Sequence, residues 1–150
     1  MGAGVTDPDE RLDVDQAAER LNQALALQYR SSLALTLAAG SVFGLQYQGL
    51  GDHLWRFASA ELEDARRLVE KLGALGREPT TEVPEVRWTA DMGEAVSYLI
   101  EIEEEAIASL QEAIEPTGRE GRSEALEHLL EHLILRKQDQ VDFLIRANRG

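Results

Sequence analysis

Glu61-Leu-Glu-Asp64-Ala-Arg-Arg-Leu68 and Lys137-Gln-Asp-Gln140-Val-Asp-Phe-Leu144 are two versions of one pattern. In each, two polar residues three positions apart sit in line with leucines at helical spacing. That spacing puts both polar side chains on one helix face. The stripe through the first stretch is Leu54, Phe57, Ala58, Glu61, Asp64 with Ala65, Leu68, Leu72 and Leu75. The stripe through the second is Leu126, Leu129, Leu130, Leu133, Lys137, Gln140, Val141 and Leu144. This is the period of amphipathic helices laid against a core. Both polar pairs therefore point inward.

Working outward, each stretch has an upstream partner. Gln28 lies 33 residues before Glu61, and Glu103 lies 34 before Lys137. Gln28 falls on the stripe Leu21, Leu25, Gln28, Ser32, Leu35, Ala39 and Val42. The helix carrying it runs from about Val14, behind an N-cap at Asp13, to the Gly44–Gly51 region. Glu103 falls on Val96, Leu99, Ile100, Glu103, Ala106, Ile107, Leu110 and Ile114, in a helix from about Ala90 to Ile114. Its neighbours Glu104 and Glu105 lie off that stripe. The second helix is expected from a cap at Asp52 to Gly73–Gly76, and the fourth from about Ser123 to Ala147 after a turn at Pro116–Gly121. The connector Arg77–Thr89, with Pro79 and Pro84, is long enough to cross a bundle end to end. Such a crossing makes helices two and three parallel.

Composition narrows the function. With 150 residues the chain is one domain, and 28 acidic against 15 basic residues give a formal charge of −13. That charge excludes nucleic acid as a partner, because phosphate needs basic patches. There is no cysteine, so disulfides, thiolate zinc sites and thiol catalysis are excluded. Residues 1–15 are acidic, lack the order of a secretory signal and read as a flexible tail up to residue 13. The opening Met-Gly-Ala-Gly-Val-Thr fits a myristoylation pattern, but no basic residues support membrane attachment. The apolar run Leu33–Leu45 is too short and too interrupted to span a membrane. The expectation is a cytoplasmic protein. No phosphate-binding glycine loop, serine triad or zinc-protease pattern is found.

Six inward polar groups at matched heights argue for one shared site, since each costs several kcal/mol if buried alone. Carboxylates are the hard oxygen ligands that divalent iron or manganese takes. The chain resembles bacterioferritin from about Leu21 to Leu144. Leu21-Asn22 is similar to that family's opening, and Glu61-Leu-Glu-Asp64-Ala-Arg-Arg-Leu68 to its Glu-x-x-His-Ala-Asp-Arg-Leu. Leu110-Gln-Glu-Ala-Ile114 resembles its Leu-Arg-Glu-Ala-Ile, and Gln140-Val-Asp-Phe-Leu144 its His-Ile-Asp-Trp-Leu. The fold this implies is all-α: a ferritin-like four-helix bundle with a long crossover between helices two and three, spanning residues 14–147. The resemblance places Gln28, Glu61, Asp64, Glu103, Lys137 and Gln140 where the family's iron ligands stand. Those ligands are Glu, Glu, His, Glu, Glu and His in that order. Only Glu61 and Glu103 are kept, and Asp64, another possible ligand, replaces a His. The family's haem-ligating Met is Leu62 here, so no haem is expected. The chain ends at Gly150 without the family's fifth helix, which favours a dimer or small homo-oligomer over a 24-subunit cage.

Lys137 is the decisive change. An ammonium among Glu61, Asp64 and Glu103 does electrostatically what a metal cation does. Three carboxylates and one ammonium leave a formal charge of −2, which permits two outcomes. Protons complete a metal-free network, or one divalent ion (Fe or Mn) binds through Glu61, Asp64 and Glu103 with a carbonyl from Gln28 or Gln140. The leading reading is a degenerate ferroxidase site in a non-catalytic, largely metal-free protein, its carboxylates balanced by Lys137. The alternatives are a mononuclear or weak iron site, and an iron-storage subunit co-assembled with a competent ferritin-like homologue. His128 and His132, four apart with Glu124 and Glu131 nearby, are weighed as a surface metal site against a solvated face. His53 has no evident partner in sequence, and Trp55 and Trp88 are too far apart for base stacking.

Overall fold

The computed structural model describes residues 12–114 and 121–149. Within them the chain forms four α-helices and no strand: α1 (Val14–Ser41), α2 (Leu50–Ala74), α3 (Met92–Ile114) and α4 (Gly121–Arg149). The acidic tail up to residue 11 and most of the turn before α4, residues 115–120, lie outside the described residues.

Asp13 caps α1 as expected, its side chain accepting from the Gln16 N–H at 3.1 Å. The end of α1 differs from expectation. The helix stops at Ser41, Val42 turns extended, and a short 3-10 turn (Leu45–Tyr47) leads on. Gly44 and Gly49 flank that turn with φ of 102° and 88°, a region open to glycine and costly for other residues. For the same reason α2 starts at Leu50, behind Gly49, and not at a cap on Asp52. Asp52 lies in the first turn, where its charge complements the helix dipole. At the other end the Arg77 N–H bonds to the Leu72 carbonyl and the Gly76 N–H to that of Gly73, with Gly76 at φ 72°. This is the Schellman closure that glycine permits. α3 begins two residues later than expected, because Asp91 caps it by accepting from Glu94 N–H at 3.0 Å.

The connector crosses the bundle along α1. Near the start of α1, Asn22 bonds to the Glu78 carbonyl (3.1 Å) and the Thr80 N–H (2.8 Å). Tyr29 donates to the Thr80 carbonyl at 3.0 Å. At the far end the Trp88 indole donates to Ser41 at 3.0 Å. From Asn22 to Ser41 is roughly 28 Å of helix at 1.5 Å per residue. α3 therefore starts at the end of the bundle where α2 started, and the two run parallel.

Two apolar clusters fill the interior. One holds Leu21, Leu25, Leu68, Leu72, Leu110 and Leu130; the other holds Leu35, Leu54, Val96, Leu99, Ile102 and Leu144. On each helix the inward polar residues fall between them. Ile102 corrects the stripe expected for α3: it is 2% exposed, while Ile100 is only half-buried. α3 buries a second row (Ala95, Leu99, Ile102, Ala106, Ser109, Ala113) and so presents a broader face than one stripe. His53 also departs from expectation. Its ring packs 4.5 Å from that of Phe143, and its Nδ1 lies 3.1 Å from the Arg56 guanidinium.

Candidate functional site

Each helix delivers its inward polar groups to the layer between the two apolar clusters. Gln28, Glu61, Glu103 and Lys137 are fully buried, with Gln140 3% and Asp64 4% exposed. The Lys137 ammonium donates to Glu61 Oε2 at 2.6 Å and to Glu103 Oε2 at 3.1 Å. The Gln140 amide donates to Glu61 Oε1 at 2.7 Å and Glu103 Oε2 at 3.3 Å. Gln28 reaches from α1 to the Glu61 backbone carbonyl at 2.9 Å and to Glu61 Oε2. Five of the six residues thus meet directly.

Asp64 joins through a residue the sequence reading missed. Arg136 crosses from α4 to α2, and both its Nε, at 2.7 Å, and its Nη2 converge on Asp64 Oδ2. The same guanidinium donates to Gln140 Oε1 and lies 3.5 Å from Glu61 Oε1. Arg136 sits beside the stripe, and its side chain stays 24% exposed. The available signal was its position four residues before Gln140, one turn away on the same face.

The donors are unevenly shared, and that sets the proton. Glu61 receives Lys137, Gln28, Gln140 and Arg136. Glu103 receives two longer bonds on Oε2, and its buried Oε1 has no hydrogen-bond partner among the described residues. Burial opposes the charge on Glu61, but the Lys137 ammonium, a bond with Glu103 and the Arg136 charge overcome it and hold the carboxyl at about 2. Burial and the charge on Glu61 together push Glu103 up to about 8, against the pull of Lys137. The two titrate as a pair that keeps one proton at neutral pH, on Glu103. Burial opposes the charge on Lys137, yet Glu103 and Glu61 raise its pKa. Burial raises Asp64, and Arg136 opposes that shift. With Glu103 protonated, two carboxylates face two cations and the formal sum is zero.

The three histidines stand elsewhere. His53 packs on Phe143, and His128 and His132 line a surface groove between α2 and α4. Among the described residues no group of three or more His, Cys, Asp or Glu is placed to hold a metal ion. No described helix is long and apolar enough to cross a membrane.

Residues 18–146 match the family described as a ferritin-like domain. Among solved structures, a ferritin-like, diiron-carboxylate protein from Bacillus anthracis str. Ames superposes with a TM-score of 0.82. It is 27% identical, and the match covers 94% of this chain and 98% of that one. BfrA from M. tuberculosis superposes with a TM-score of 0.78 over 95% of this chain and 84% of its own. At 18% identity it speaks for the fold alone. No curated protein matches the sequence.

Proposed function

This chain belongs to the ferritin-like family, and from that membership we propose that it is a non-catalytic, largely metal-free member whose bundle centre is held by an internal ion-pair network. One observation carries this reading. Lys137 sits between Glu61 and Glu103, within hydrogen-bonding distance of both, and Arg136 is bound to Asp64. A pair of irons fits this donor set poorly. No imidazole is present, and two of the three carboxylates already share an ammonium. A divalent ion there would have to displace the buried Lys137 ammonium and the partly exposed Arg136 guanidinium. The unpartnered Glu103 Oε1 does not alter this, because a protonated carboxyl is a weak ligand.

Anaerobic loading with Fe(II), desalting and elemental analysis test the proposal. Retained iron is expected well below one ion per chain. Near-stoichiometric iron would overturn it. The variant Gln28→Glu, Asp64→His, Lys137→Glu, Gln140→His restores the ligand types the family resemblance implies. It is expected to retain iron under the same treatment.

The same reading includes a homodimer. Leu33, Leu37, Trp55, Leu62 and Val83 are exposed apolar residues of α1, α2 and the connector. Trp55 and Leu62 line a groove of about 500 Å3 with Tyr29 and Thr36, and Leu33 and Val83 line another that shares Tyr29, Thr36 and Leu62 with it. A second copy covering this face would bury apolar area that favours association. Sedimentation is expected to give twice 16.6 kDa for the wild type. Trp55→Glu with Leu62→Glu is expected to give a monomer. A wild-type monomer, or a 24-mer, would refute the dimer.

A further inference from the structure

One groove carries a charge opposite to that of the chain as a whole. Between α2 and α4, which touch little compared with the other packed helix pairs, lies a cleft of about 520 Å3. Arg67, Glu70, Lys71, His128 and His132 line it. Arg67 and Lys71 are four apart on α2, and His128 and His132 four apart on α4, so each pair stands on one helix face. The carboxylate among them is engaged, since Glu70 pairs with Arg66 at 3.2 Å. Glu63, which feels the Arg67 charge, is also bonded to Arg66. Among the described residues the side chains of Arg67, Lys71, His128 and His132 make no hydrogen bond or ion pair. Arg136, one turn past His132, is not part of this set, since its guanidinium is bound to Asp64.

A metal ion does not suit this groove. Arg67 and Lys71 would repel it, and the two imidazoles lack a third His or carboxylate ligand among the described residues. The donors suit an anion. The guanidinium fork matches two phosphate oxygens, the ammonium adds a point charge, and an imidazole N–H donates.

We propose that the α2–α4 groove binds a phosphate-type oxyanion with several negative charges. The source is either a free inorganic polyphosphate or the phosphate chain of a small organic molecule. This proposal is independent of whether the bundle centre takes metal.

Calorimetric titration of the full chain with tripolyphosphate, and separately with ATP, both without divalent metal, tests it. Saturable binding at one site per chain is expected. Arg67→Ala with Lys71→Ala is expected to weaken it at least tenfold, with the melting curve unchanged. Arg20→Ala, on α1, is expected to leave it as it was. Equal affinity for the two probes assigns recognition to the phosphate chain alone. ATP binding at least tenfold tighter, and still lost in the double variant, assigns an organic phosphate. No saturable binding of either probe, or binding retained by the double variant, overturns the proposal.

Discussion

Lys137→Met is expected to destabilise the fold by about 3–5 kcal/mol, the scale for removing one member of a buried ion pair. The side chain fits, since Met is unbranched and close to Lys in length, so the loss is mainly electrostatic. It leaves Glu61 with Gln28, Gln140 and the more distant Arg136, and it takes the only ammonium from Glu103 among the described residues. Glu61, the ionised member of the pair, must then gain a proton or draw in water. For a chain of this size the melting temperature should fall by about 2–4 °C for each kcal/mol lost. A second variant separates charge from packing. Lys137→Met combined with Glu61→Gln and Glu103→Gln removes the charges together, and well-packed neutral replacements of buried ion pairs are often neutral or stabilising. That triple variant is expected to recover most of the stability. Urea and thermal unfolding measure both. An unchanged single variant would show that Lys137 is not held by the carboxylates.

The helical stripes were legible because burial follows a 3.6-residue period whichever neighbour lies opposite. The same period separated Glu103 from Glu104 and Glu105. Both of those are exposed, and Glu105 pairs with Arg30 at 2.7 Å on the surface. The inward direction of the six polar residues was therefore readable. Their charge balance was not. Lys137 alone left a sum of −2, whereas Arg136 and one retained proton bring the formal sum to zero. Arg136 escaped notice because it lies beside the stripe and reaches the centre only through the length of its side chain. The short Asp64, which stands where the resemblance places a histidine, provides the acceptor. Helix ends were less legible than helix faces for a similar reason. Asp13 caps where it was expected, but Asp52 does not, because Gly44 and Gly49 turn the chain before it.

Glu103→Gln is expected to remove a fall in stability that the wild type shows between about pH 4.5 and 8. The sign follows from the proton. Below the ordinary glutamate value of 4.5 both folded and unfolded chains hold it, and Glu103 costs nothing. Above 4.5 the unfolded chain releases the proton while the folded chain keeps it up to about 8, so folding weakens as pH rises. The slope for one such proton approaches roughly 1.4 kcal/mol per pH unit within the window, and it vanishes above it. Glu61 acts in the opposite sense and in a different range. Its carboxyl is held at about 2, so its contribution is lost only as pH falls below 4.5. The surface adds a trend of its own, because a chain of formal charge −13 repels itself less as it nears its isoelectric point near 4.6. That trend is common to wild type and variant, and the difference between their curves isolates Glu103. Gln keeps the oxygen that accepts from Lys137 and Gln140, and it presents an N–H₂ on the side where Glu103 Oε1 lacks a partner. The variant is therefore expected to match the wild type near pH 4.5 and to exceed it by several kcal/mol at pH 8. Parallel curves across that range would mean that Glu103 is ionised in the folded chain, and the charge balance assigned to the bundle centre would fail with it.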